Sequence, residues 1–494
     1  MPQRRRAAKD ALLDRLDAEA ETFNRDLTRE YYLNGAGLKE DLSIVPIFRR
    51  HAKLFSKETV AALQDAPRDD PRRPSLRAFV VEGYLENAAK SLSEAIAARE
   101  TGDATIWDGK EVPFRALPVL MGNEPDATRR HEMDRLRVEL VAAQNPLREE
   151  RWDILHAEAR GLGYTDYVAL CEDVGGLILD ELARPLQAFL WSSEGAYRAQ
   201  LRRYLADIGV AAAAAERSDL AYLFRSPQFD AYFPSERLIP SLTETLRVLG
   251  IDLEHQKGVH LDIESRPQKS PRAFCAAIVV PDKVMLVINP HGGQDDYASL
   301  FHEAGHTEHF AHVNRNLPFA VRGLGDNSVT EAYAFLMEHL MYDGDWLEQR
   351  LGWHNVGDFV AFKRFYKLYI LRRYSAKLLY ELELHRSENV RARAKRYADL
   401  LTVALGVRYN PADYLSDVDD GFYAARYLRA WVFEAQLRRR LEADFGRQWF
   451  LSAEAGERLR RLWSMGQSLP VEELAREIGY SGLDFAPLFE ELDT

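Results

Sequence analysis

Helical periodicity, sustained over most of 494 residues, constrains the fold of this chain more than any other feature. Apolar residues recur three and four positions apart in 11–31, 76–98, 185–205, 238–249 and 359–384. That spacing lays one apolar stripe along each helix and leaves the opposite face polar. The Arg- and Ala-rich stretches 387–405 and 423–445 continue the pattern with charged outer faces. Runs such as Arg438-Arg439-Arg440 read as solvated helix surface. Breakers are short and scattered, at 66–74, 122–127, 161–165 and 409–413. The alanine run 211–215 is a helix or a linker, and no internal repeat stands out. The expected fold class is mainly α. A chain of this length exceeds what one core usually fills, so two lobes or one large helical domain are expected.

One region breaks the period. Residues 274–280 and 284–289 are apolar and β-branched, and Pro281-Asp282-Lys283 between them has turn chemistry. This predicts a small hairpin. It ends at Asn289-Pro290-His291-Gly292-Gly293, after which Asp295 or Asp296 is placed to cap a new helix. A hairpin just ahead of that helix would offer a strand edge to an extended peptide.

Charge and cysteine usage exclude several classes. The formal net charge of -12 argues against general affinity for nucleic acid or anionic membrane. No stretch approaches the ~18 apolar residues that cross a bilayer. Residues 1–10 carry Arg4, Arg5 and Arg6 but lack the apolar core of a secretory leader. Cys171 and Cys275 are the only cysteines, too few for a disulfide framework and outside any CxxC spacing. The expected location is the cytoplasm.

The new helix contains His302-Glu303-Ala304-Gly305-His306, an HExxH sequence. Histidines four apart on a helix lie on one face, about one turn from each other, and can share a zinc ion. Glu303 is rotated toward the open coordination position, where it can take a proton from water. Two residues compete to be the third ligand. His312 has the metzincin-type spacing, but that geometry needs a sharp turn after the second ligand, and His309 and Phe310 predict a continuing helix. Glu331 opens an apolar helix that would pack antiparallel on the first, completing a His₂Glu set. Ser328-Val329-Thr330-Glu331 also fits a capping box, so spacing alone leaves both readings open.

These segments resemble the thimet oligopeptidase and oligoendopeptidase F group of zinc peptidases. His302 to His309 matches the group's HExGHxxH, and Glu331 with Glu338 seven residues later matches its ligand helix. Arg272-Ala273-Phe274-Cys275 is similar to its substrate-flanking strand. The resemblance implies Glu331 as the third zinc ligand and two helical lobes around a deep channel. It also implies a small hairpin or sheet beside the HExxH helix, and short peptides as substrates. It divides the chain into an N-terminal helical region, 1–245, and a catalytic zinc-binding region, 246–494.

A further stretch, 417–431, agrees in part. Tyr423 and Tyr427 fall at or beside aromatic positions that bind substrate and stabilise the oxyanion in the group. Asp417 or Gly421 stands where the group has His, and Arg426 and Arg429 stand where it has Tyr. An Arg can also stabilise a developing oxyanion. The expected roles are therefore His302, His306 and Glu331 on zinc, Glu303 as general base, and Tyr423, Tyr427 and Arg426 at the oxyanion. His309 is expected to orient substrate or neighbouring groups, and Glu338 to accept a hydrogen bond from a ligand imidazole. A member of the same fold that holds zinc and a peptide without cleaving it is the alternative. Endo- or exopeptidase action and oligomeric state are not encoded in these features.

Overall fold

The computed structural model describes residues 2–67 and 69–492; the side chains of 1–9, including Arg4, Arg5 and Arg6, lie outside the described residues. The fold is mainly α, with one two-stranded and one three-stranded sheet among the described residues. No helix among them is long and apolar enough to cross a membrane. Two predicted helices have different limits. The stretch 185–205 divides into Leu179–Ser192 and Glu194–Asp207. At the junction the Ser193 hydroxyl donates to the Phe189 carbonyl (2.6 Å), the local bond by which serine competes with a helix. The stretch 387–405 is α-helical only over Ala394–Leu405, after a 3₁₀ turn Val390–Arg393 capped by the Asn389 side chain.

The chain forms two compact units, each assembled from three separate stretches. The first comprises Met1–Tyr84, Pro227–Ala361 and Arg429–Leu488. Its core follows the helical period. Leu238, Leu242 and Leu246 meet Leu300, Phe301 and Ala304, and Val329, Tyr333 and Met337 close the other side. The three-stranded sheet runs Val259–Asp262, Lys283–Val287, Phe274–Val279. The predicted hairpin is present, with Phe274 opposite Val287 and Cys275 opposite Leu286. Val259–Asp262, which the sequence did not suggest, pairs parallel to the central strand.

The helix Pro2–Gly35 covers one face of this sheet, where Tyr32 and Ala36 pack on Ala276 and Ile278. A Cβ on Gly35 would lie 2.9 Å from the Phe274 ring and would push that ring aside. The same helix holds the short helix Phe319–Arg322. Asp17 accepts from the amides of Phe319 (3.0 Å) and Ala320 (2.6 Å), and Arg322 donates to Glu21 (2.6 Å) and to the Val280 carbonyl (2.6 Å).

The second unit comprises Leu85–Ser226, Phe362–Leu428 and Phe489–Thr494. Its long helix Ala127–Gly161 carries buried charges into the interior. Arg130 pairs with Asp219 at 2.8 Å, and Arg137 grips both carboxylate oxygens of Asp413 at 2.7 and 2.8 Å. Farther along, His156 Nε2 lies 3.0 Å from His385 Nδ1, among the rings of Trp152 and Tyr167. A hairpin not anticipated from the sequence, Ala104–Trp107 with Lys110–Pro113, turns at Asp108-Gly109.

Candidate metal centre

The HExxH motif sits on the helix Gln294–His312 of the first unit. Gly292 and Gly293, both at φ +87°, make the sharp entry. The helix begins at Gly293 with no side-chain cap, which corrects the expected cap at Asp295 or Asp296. The Asp296 carboxylate reaches farther back, accepting from the amides of His291 (2.6 Å) and Gly292 (2.8 Å), and so fixes the loop instead. The helix continues through His309 and Phe310, as their side chains predict. His312 accordingly turns away from the motif. Its Nδ1 lies 2.8 Å from the Glu308 carbonyl and its ring packs on Trp463.

The helix Asn327–His339 packs antiparallel against it. His302 faces Glu338 and His306 faces Thr330, so partner numbers fall on one helix as they rise on the other. Gly305 sets the separation. A Cβ there would lie 2.5 Å from both Ala334 Cα and the Tyr333 carbonyl oxygen, so the helices meet backbone to backbone. The facing helix is capped by Asp326, whose side chain accepts from the Ser328 amide. Glu331 is therefore not the third residue of a box opened by Ser328, and its carboxylate is directed across the interface. Glu331 Oε2 lies 3.4 Å from His302 Nε2 and 3.6 Å from His306 Nε2. One ligand atom from each residue falls within a 4.8 Å span, the one such group of three among the described residues. Ligands bound tetrahedrally at 2.0–2.2 Å lie roughly 3.3–3.6 Å apart, and both separations of Glu331 from the imidazoles match that spacing.

Each remaining contact orients a donor. His302 Nδ1 is 2.9 Å from Glu338 Oε2, whose other oxygen accepts from the Tyr342 hydroxyl (2.6 Å). Burial alone would lower the His302 pKa, but its bonds to the carboxylates of Glu331 and Glu338 outweigh this and raise it to about 10. Burial lowers that of His306 to about 4. Glu303 projects toward the hairpin, where its Oε2 accepts from the Cys275 amide (2.8 Å) on the sheet's edge strand. Glu303 keeps some access to solvent, yet the surrounding protein removes enough water to push its carboxyl up to about 7. His309 is fully buried, 3.4 Å from the Gly466 carbonyl with its ring against Tyr333, and contact with a substrate is closed to it.

A solved structure of PZ peptidase A with an inhibitor superimposes with a TM-score of 0.63. The match covers 94% of this chain and 85% of that one at 16% sequence identity. The chain shares the fold of that structure. No protein-family model matches the chain, and no curated protein matches it. The expected oxyanion residues belong to the second unit, where Tyr423 and Tyr427 rings are 5.0 Å apart and Arg426 lies 5.6 Å over Tyr423. Asp417, which with Gly421 is one of the two positions where the resemblance has His, is partly buried beside Arg373 and accepts from the Tyr397 hydroxyl (2.8 Å). Arg429 belongs to the first unit and is held by Asp326 (2.8 Å) and Glu472 (2.5 Å).

Proposed function

We propose that this chain is a zinc peptidase related to thimet oligopeptidase and oligoendopeptidase F, hydrolysing peptide bonds of short peptides. The observation that carries the reading is the convergence of His302 Nε2, His306 Nε2 and Glu331 Oε2 within 4.8 Å, beside Glu303. These three residues would hold the ion. Zinc bound there would lower the pKa of water toward ~7 and polarise the scissile carbonyl. The two carboxylates that favour positive charge at His302 would equally favour a cation among the three donors.

Glu303, with its carboxyl near pH 7, suits both halves of a proton transfer. It would take a proton from the attacking water and give it to the leaving amine nitrogen. The Cys275 amide holds the carboxylate in place while it does so. Tyr423, Tyr427 and Arg426 would stabilise the oxyanion.

The test uses the zinc-loaded protein and a mixed library of short peptides, with new termini read by mass spectrometry. Glu303→Gln should keep zinc and lose cleavage by several orders of magnitude. Normal turnover by that variant would refute the mechanism. Zinc binding without cleavage by the native chain would identify a peptide-binding member of the fold.

A further inference from the structure

An imidazole that gives Nε2 to a metal must carry its proton on Nδ1, and the group bonded there fixes both tautomer and ring angle. The two ligand histidines have chemically different partners. His302 Nδ1 has the Glu338 carboxylate at 2.9 Å, and His306 Nδ1 has the Thr330 hydroxyl oxygen at 2.7 Å. Thr330 is the residue before Glu331 and is 6% exposed, so its hydroxyl serves no solvent-facing purpose. One helix thus supplies a donor atom and the partners of both imidazoles.

Charge explains the choice of a neutral group. Glu303, Glu331 and Glu338 already bring three carboxyls to the two histidines. A fourth at position 330 would add to negative charge that already exceeds that of a divalent cation. A hydroxyl accepts from Nδ1–H without adding any.

We infer that Thr330 is a positioning residue for the metal centre, holding His306 with Nε2 toward Glu331 Oε2 by accepting from Nδ1–H. The inference rests on the zinc reading above. Thr330→Val keeps the shape and removes the acceptor; Thr330→Ser keeps the acceptor. With Zn²⁺ alone as probe, competition against a chelator should show Val weakening affinity 10–100-fold and Ser restoring it to within about threefold. In the zinc-loaded native and Ser proteins, proton NMR should show a slowly exchanging His306 Nδ1–H that Val lacks. Thermal unfolding without added metal should leave Val within 2–3 °C of native, which separates ligand positioning from packing. Native affinity in the Val variant would overturn the inference, as would a Ser variant as weak as Val. A native protein that binds no zinc would overturn the proposed function as well, so the two failures are distinguishable.

Discussion

Substituting Gly305 by alanine separates the geometry of the metal centre from the stability of the fold. The added Cβ would sit 2.5 Å from Ala334 Cα, 2.5 Å from the Tyr333 carbonyl oxygen and 2.9 Å from the Ala334 amide nitrogen. These are backbone atoms of a packed helix and cannot swing aside. Ordinary contact requires about 3.5 Å, so the helices must part by roughly 1 Å at this level. Overpacking of this kind costs about 3 kcal/mol, and the better helix propensity of alanine returns about 1 kcal/mol. The net loss of about 2 kcal/mol corresponds to a Tm lowered by about 2–4 °C. The metal centre has less tolerance. Adding 1 Å to the 3.4 and 3.6 Å separations of Glu331 Oε2 from the two Nε2 atoms takes the donors outside a tetrahedral set. Gly305→Ala should therefore bind zinc at least tenfold more weakly by chelator competition, while remaining folded at 25 °C. Native zinc affinity in a folded Gly305→Ala protein would refute the claim that backbone contact at this glycine positions Glu331.

Two further outcomes concern the second unit. Burial lowers the His156 pKa from 6.5 to about 4, so the unfolded chain binds the proton more readily. The stability this histidine contributes is present above pH 6.5 and is lost as pH falls toward 4, by about 2 kcal/mol between pH 7 and pH 5. Urea unfolding at the two pH values should show this loss, and His156→Gln should remove that part of it; an identical pH dependence in the variant would refute the assignment. Asp413→Asn breaks the two-point grip of Arg137 and the 3.2 Å contact of Arg217, leaving buried guanidinium charge. It should destabilise the protein by about 3–5 kcal/mol in urea unfolding. A loss under 1 kcal/mol would show that these arginines find other partners.

The parts of the fold and candidate site that depend on neighbours in sequence were legible in advance. His302 and His306 are one turn apart on any helix, and the apolar spacing around them made a helix the only economical structure. The hairpin was legible because two apolar runs flank a three-residue turn. The pairing of Val259–Asp262 was not, because a four-residue strand ending in Asp is defined by its partner Lys283–Val287 rather than by its own pattern. The hairpin at Asp108-Gly109 carried a readable signal, a turn dipeptide at positive φ, between strands only four residues long. Thr330 was hidden by a competing local meaning, since Ser328-Val329-Thr330-Glu331 spells a helix start. Only the helix packing shows that the start is Asp326 and that Thr330 faces His306. The helix entry was misread for a similar reason, because Asp296 finds its amides in the preceding loop.

The clamp between the first helix and the short helix Phe319–Arg322 sets an order of events during biosynthesis. Asp17 and Glu21 leave the ribosome about three hundred residues ahead of the amides and guanidinium they bind. At 5–20 residues per second, that interval is roughly 15–60 s. Through it the part of the first helix that docks on Phe319–Arg322 lacks its partners, while Phe23 can already meet Phe48, Phe55 and Phe79. The nascent chain is thus exposed to chaperones and proteases at the element that will later cover the sheet beside Glu303.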